Sequence, residues 1–336
     1  MKKRLLLVIT GLLVVFLLAA CGSKSKEDVV KDLNGKLNDL SGYKVDAKMT
    51  LKMGTDSQVY NVEIWHKDPT FYRVNLKNAE KDQSQMILRN NEGVFVLTPA
   101  LKKSFKFQSD WPQNSSQAYL YESLIKDIVE DKEAKFSSTK EHYVFETKTR
   151  YQNNSMLPTQ EIKLNKEDLS PAVVKVMDPD RKALVTVEFS KVKFNASFDD
   201  SDFDMKKNMT RADLNLPVMA DSKDTAFTVK YPTADLGAKL VDEKEVKLEN
   251  GKRVVLTYEG EKSFTLVQEK VTVKEASTSP TYVDGDLVDL GVTIGAVSDG
   301  SITWTIDGVD YMVASNDLTE EELVEIARTV QGDVEK

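Results

Sequence analysis

Few residues in this chain of 336 are of a type that does chemistry. There is one cysteine, Cys21, and there are two histidines, His66 and His142, each in a strand-like run with no second ligand nearby. A zinc site needs three or four ligands, so both histidines are expected as surface or strand residues, and no metal is expected. Asp284, Asp286 and Asp289 in "DGDLVDLG" suggest calcium at first sight. An EF-hand register needs a glycine at position six and a glutamate at twelve, and neither is met, so a polar loop is expected. The run "DDSDFD", Asp199 to Asp204, reads as a solvated strand entrance. No G-x-S-x-G, P-loop or H-E-x-x-H spacing occurs. With 54 acidic residues, paired carboxylates arise by number alone and imply no glycosidase. No catalytic residue and no cofactor are assigned, and the expectation is a protein that is not an enzyme.

Cys21 is a separate case. A disulfide needs a partner, which this chain does not contain. A reactive thiol needs a cationic or helical setting to lower its pKa. The residues before it supply another use. Lys2, Lys3 and Arg4 form a positive head, followed by an apolar run from Leu5 to Ala20 interrupted only by Thr10 and Gly11. Sixteen residues fall short of the ~20 that a helix needs to cross a bilayer, and the whole reads as a secretory signal peptide, residues 1–20. Leu18-Ala19-Ala20-Cys21 resembles the bacterial lipobox. That resemblance implies cleavage before Cys21 and S-diacylglycerol, with palmitate-like chains, on its thiol. Each buried methylene contributes ~0.8 kcal/mol, and two chains anchor stably. The mature protein is thus expected at the cell membrane, lipid-anchored on the extracytoplasmic face. An ordinary signal peptide or signal anchor with a chance cysteine is the plainer alternative. Residues 21–26 form a polar tether, whose five residues after the cysteine span roughly 16 Å at ~3.3 Å each.

Removing the head's three basic residues leaves 43 Lys and Arg against 54 acids, a formal charge of −11 over 316 residues. Nucleic acid is excluded as a partner, since phosphate binding needs a basic face. So is an electrostatic hold on anionic lipid. At 40% hydrophobic and 30% charged, the composition is that of a well-solvated globular protein, and no second long apolar stretch appears.

These residues need elements to place them. Ser25 and Asp28 read as a weak capping box for a helix carrying Val29, Leu33, Leu37 and Leu40, ended by Gly42. "YKVDAKMTLKM" then alternates strictly and predicts a strand with one apolar face. Strands are predicted at "QVYNVEIWH", "TFYRVNL", "SQMILR", "GVFVLTP" and "SFKFQ". A helix over "AYLYESLIKDIVE" interrupts them. More strands follow at "HYVFETKTRY", "TQEIKLN", "AVVKVMD" and "ALVTVEFSKVKF", the last two joined by a "DPDR" turn. "LNLPVMADSKD", residues 214–224, lacks periodicity and is read as a linker. Beyond it, strands are expected at "AFTVKYP", "KRVVLTYEG", "SFTLVQEKV" and "SITWTIDGVDYMVAS". A last helix opens on the capping box Thr319-x-x-Glu322. The fold class is α+β: an unclosed antiparallel half-barrel with a helical lid, then a small α+β domain.

Three segments resemble the LolA/LolB lipoprotein-carrier superfamily. "VEIWHKDPTFYRVNL" offers Trp65, Pro69 and Phe71-Tyr72; "LRNNEGVFVLTP" offers Gly93, Phe95 and Pro99. "PAVVKVMDPDRKALVTVEFSKVKFNASFDDSDF" offers Pro171, Asp178, Phe189, Asn195 and Phe203. Asp68 stands where carriers commonly have arginine. The resemblance covers roughly 25–210 and implies a LolA-like domain, 27–213, with an apolar cavity under its lid. "ITWTIDGVDYMVASNDLTEEELVEIARTV" is similar to the end of DUF4367-type domains and implies such a domain over 225–332. The combination resembles sporulation- and germination-associated lipoproteins of bacilli and, more distantly, the MucB/RseB regulators.

The one apolar constellation that could form a ligand site is Met49, Leu51, Met53, Ile64, Tyr72, Val74, Met86, Leu88, Phe95 and Leu97. Methionine and aromatics suit a deformable pocket, and a plain core accounts for them equally well. Two functions follow as expectations: binding of an apolar ligand or lipidated partner, or docking of an envelope protein such as a cell-wall hydrolase or sigma-factor regulator.

Overall fold

The computed structural model describes residues 24–53, 56–80, 84–107, 111, 116–151, 156–215, 228–248, 251–271, 280–291 and 293–330. Signal stretch 1–20, Cys21 and residues 216–224 of the expected linker lie outside them. Helix α1, Lys26–Asn38, starts on the expected capping box: the Ser25 side chain accepts from the Asp28 backbone, and Asp28 answers. It stops at Asn38, four residues before Gly42. Gly42 instead opens β1, Gly42–Met53, where a Cβ would meet the His66 carbonyl at 2.5 Å.

Strands β1, β2 (Asp56–Lys67), β3 (Phe71–Asn78), β4 (Ser84–Asn90), β5 (Gly93–Thr98) and β6 (Lys103–Phe107) form one antiparallel meander. Helix α2, Tyr121–Glu130, follows. The second meander is β7 (Lys135–Ser138), β8 (His142–Lys148), β9 (Thr159–Asn165), β10 (Pro171–Met177) and β11 (Ala183–Phe194). The two meanders join where β1 pairs with β11, Met49 opposite Val187. Strands β7 and β6, the outer ends of the two meanders, do not pair, so the sheet is an unclosed half-barrel. Its inner face packs against α1 and α2 through Val29, Leu33, Leu124, Ile125 and Ile128.

The run "DDSDFD" is a 3-10 turn, Asp200–Phe203, leading into helix α3, Met205–Asn215. That helix is absent from the sequence reading because its segment is poor in apolar residues. It is held by Asn208, whose amide donates to the Asp202 and Asp204 carbonyls while its oxygen accepts from Arg73 Nε at 2.8 Å. Phe203 and Met205 cover the outer face of β3 to β5 with Phe71, Met86, Leu88, Phe95 and Leu97. The half-barrel therefore has apolar layers on both faces.

The second unit holds a seven-stranded sheet in the order β12 (Ala238–Leu248), β13 (Gly251–Gly260), β14 (Phe264–Val271), β19 (Val309–Ala314), β18 (Ser301–Ile306), β17 (Ile294–Ser298), β16 (Asp286–Asp289). Helix α4, Glu320–Thr329, packs on β17 to β19 and starts on the expected Thr319–Glu322 capping box. "AFTVKYP" is no strand over its described residues, 228–232. There the Gln268 side chain replaces a ladder, accepting from Lys230 N at 2.8 Å and donating to Lys230 O at 2.6 Å. Strand β12 has charges on both faces and is exposed along most of its length, so no alternation marked it.

Strand β15, Thr281–Val283, leaves its own unit. It pairs in parallel with β6 and becomes the twelfth strand of the half-barrel sheet. A single apolar cluster runs from Val29 through both units to Val330.

Candidate functional site

Nine of the ten apolar candidates divide between two faces. Met49, Leu51, Ile64, Tyr72 and Val74 are buried on the helix side of the half-barrel. Met86, Leu88, Phe95 and Leu97 lie in the layer under Phe203 and Met205. The side chain of Met53 is outside the described set. Strand alternation explains the split: on β4, Ile87 faces the helices and its neighbours Met86 and Leu88 cannot. The nine described candidates therefore do not converge on one interior.

His66 is buried, at 3% exposure, and not a surface residue. Its Nδ1 lies 3.1 Å from the Phe71 carbonyl and its Nε2 2.9 Å from Glu122 Oε1. Tyr43 donates to Glu122 Oε2 at 2.8 Å and accepts from the Tyr121 backbone at 3.3 Å. Burial first, and Glu122 beside it, push the Tyr43 phenol well above its ordinary pKa, so it stays protonated. Tyr72 stacks on His66, and Trp111 on Tyr72. This cluster pins the start of α2 to β1 and β2. Its rings are buried, with His66, Tyr43 and Tyr72 all at 9% exposure or less, and it holds the helical layer down. His142 sits on β8 in a hairpin turn, its backbone bonded to Thr139.

The open face of the second sheet looks onto β5, β6 and β15. Between them lies a cavity of about 460 Å³. Phe105, Phe107, Val255, Val267, Val283 and Met312 supply its apolar lining. Arg253, Glu269 and Asp310 also line it, and Lys103 pairs with Asp310 from just outside the lining. Arg253 grips Glu269 at 2.9 and 2.6 Å across β13 and β14. Asp310 accepts from Thr305 Oγ1 at 2.7 Å and from Lys103 Nζ at 3.0 Å. The volume falls within the ~300–1,000 Å³ of small-molecule sites. The sequence reading missed every one of these residues. A signal was present: "RVVLTY" on β13, "TLVQ" on β14 and "YMVA" on β19 carry consecutive apolar residues, which mark strands covered on both faces.

The units are tied beside this cavity. Tyr119 donates to Asp289 Oδ2 at 3.2 Å, and Gly291 N donates to Asp289 Oδ1 at 2.7 Å. Burial holds the Asp289 carboxyl above its ordinary pKa. The Asp284–Asp289 segment is thus not a solvated polar loop throughout, since Asp289 is 4% exposed. Arg328 donates to the Asp289 carbonyl and lies over the Tyr151 ring at 4.5 Å. Gln85 donates to the Thr305 carbonyl at 3.0 Å. Among the described residues no group of three or more His, Cys, Asp or Glu is placed to hold a metal ion, and no helix is long and apolar enough to cross a membrane.

Comparison with solved structures gives low similarity. The complex of Pseudomonas aeruginosa MucA and MucB is 14% identical, with 87% of this chain and 97% of that one covered at a TM-score of 0.31. A putative outer membrane lipoprotein-sorting protein domain from Vibrio parahaemolyticus is 14% identical, with 56% and 100% covered at 0.32. The CwlD amidase of Clostridioides difficile in complex with the GerS lipoprotein is 18% identical, with 53% and 98% covered at 0.29. Comparison of sequences goes further. The model of the family "Sporulation protein YdcC-like" matches residues 2–203. Sporulation protein YdcC of Bacillus subtilis (strain 168) is 55% identical over all 336 residues, covering 100% of this chain and 99% of the relative. An alignment running end to end at that identity, with a family model over residues 2–203, means that this chain belongs to the YdcC-like family of sporulation proteins.

Proposed function

We propose that this protein is a lipid-anchored, extracytoplasmic protein of the sporulating cell that binds an apolar ligand or lipidated partner and catalyses nothing. It would comprise a LolA-like unit, 27–213, and a DUF4367-like unit, 225–332, joined through 214–224 and tethered to an S-diacylglycerol on Cys21 by residues 21–26. The inter-sheet cavity carries the reading. Its lining is mostly apolar, and its charged groups are paired with one another rather than aimed at a common point. Native mass spectrometry of the purified chain, together with titration by the uncharged probe N-phenyl-1-naphthylamine, tests it. Bound lipid or saturable probe uptake is expected; a protein that carries none and takes up no probe overturns the reading. The anchor is tested separately. Cys21→Ala is expected to release the protein from the membrane fraction or leave it unprocessed, with both units folded by circular dichroism; unchanged membrane retention with normal processing would refute the anchor.

Strand β12 supports a second reading, a scaffold that docks an envelope protein. It is an 11-residue edge strand with Leu240 and Val241 exposed, the kind of edge that accepts another chain. Crosslinking in envelopes discriminates, since this reading requires one stoichiometric protein partner attached through β12.

A further inference from the structure

The cavity's shape and charge carry the proposal to a ligand class. This step rests on the reading that the inter-sheet cavity is the binding site. A chain carbon fills about the volume of a water molecule in the liquid, ~30 Å³. A space of about 460 Å³ therefore holds one aliphatic chain and not two. The walls suit such a chain: Val255, Val267 and Met312 from one sheet face Phe105 and Phe107 from the other. Methionine adapts to a flexible guest.

The charges decide the head. Arg253 is matched by Glu269 and Asp310 by Lys103, so the pairs together have no net charge. All four side chains keep between 30 and 44% exposure, so neither pair is shut off from solvent, and Arg253, Glu269 and Asp310 line the cavity itself. An anionic head would have to displace Glu269 from Arg253 or Asp310 from Lys103. A cationic head would face the reverse exchange. A head with both charges meets both partners at once: its cation lies beside a carboxylate and its anion beside a guanidinium or ammonium. We infer that the cavity between the two sheets is a site for a single-chain lipid with a zwitterionic head, of the lysophosphatidylethanolamine type.

Displacement of N-phenyl-1-naphthylamine tests this on the chain from residue 22 onward, which keeps every described element. Lysophosphatidylethanolamine and lysophosphatidylglycerol of equal chain length serve as competitors, each below its micelle-forming concentration. The zwitterionic lipid should displace the probe at a roughly tenfold lower concentration than the anionic one. Glu269→Gln frees Arg253 without touching the apolar wall, and should shift the preference toward the anionic lipid. Met312→Trp combined with Val267→Phe fills the cavity, and should abolish binding of probe and lipids while circular dichroism is unchanged. Probe binding with equal or anionic preference, or a preference that Glu269→Gln leaves unmoved, refutes the head assignment and spares the binding reading. Probe binding that survives the filled cavity refutes the site. A wild-type protein that takes up no probe overturns the binding reading itself.

Discussion

Tyr43 stands where β1, β2 and α2 meet, with its hydroxyl donating to Glu122 and accepting from the Tyr121 backbone. Tyr43→Phe leaves a half-buried carboxylate oxygen and a buried backbone N–H without that partner. We expect a loss of about 1–3 kcal/mol in urea unfolding, with the fold retained. Asp289 gives a different signature. Burial raises its carboxyl pKa above the ordinary 3.8, so its contribution to stability is fully present in acid and is lost as pH rises through the folded value. Asp289→Asn keeps one acceptor oxygen for Gly291 N, turns a donor toward the Tyr119 hydroxyl oxygen, which can accept, and has no charge to bury. Relative to the native chain, it should gain stability as pH rises, read from urea midpoints across pH. Asp289→Ala should lose stability at every pH, because Tyr119 is left without its acceptor. Neither role was legible beforehand. His66, Glu122 and Tyr43 come from three distant places in the chain, and only the register of β1 against β2, with Tyr43 opposite His66, brings them together.

Elements were legible where local signals agreed. Alternation along "YKVDAKMTLKM" and the two capping boxes correspond to β1, α1 and α4. The box before α4 is tested by Thr319→Ala, which should cost about 1 kcal/mol and be partly rescued by Thr319→Ser in thermal unfolding. Signals failed where tertiary contacts supply the stability. Helix α3 relies on Asn208 and on the aromatic layer under it more than on its own apolar stripe. Phe203→Ala should therefore cost about 3–5 kcal/mol, as expected for a fully buried aromatic. The candidate pocket failed for a related reason. Period two shows that a strand has an apolar face, but two apolar layers on β4 and β5 look identical in sequence to one.

The two units share an apolar cluster, the Tyr119–Asp289 bond, the Lys103–Asp310 pair and a strand. Ties of this extent predict one calorimetric unfolding transition, with the calorimetric and van't Hoff enthalpies equal. Two resolved transitions would show that the junction contributes little. The sequence reading divided the chain at 214–224, where composition shifts. Composition says nothing about a strand that returns to an earlier sheet, and the three residues Thr281–Val283 are too few to carry a periodicity that would announce it.

That returning strand has a consequence for synthesis. The chain is made from its N-terminus, and the half-barrel's outermost strand is encoded in the later unit. Until residue 283 has emerged, β6 presents a bare row of backbone donors and acceptors. The first unit therefore cannot finish folding as it emerges, and truncated chains ending near residue 213 carry an adhesive border. Such fragments should self-associate in proportion to concentration, and an added peptide spanning residues 280–284 should suppress it.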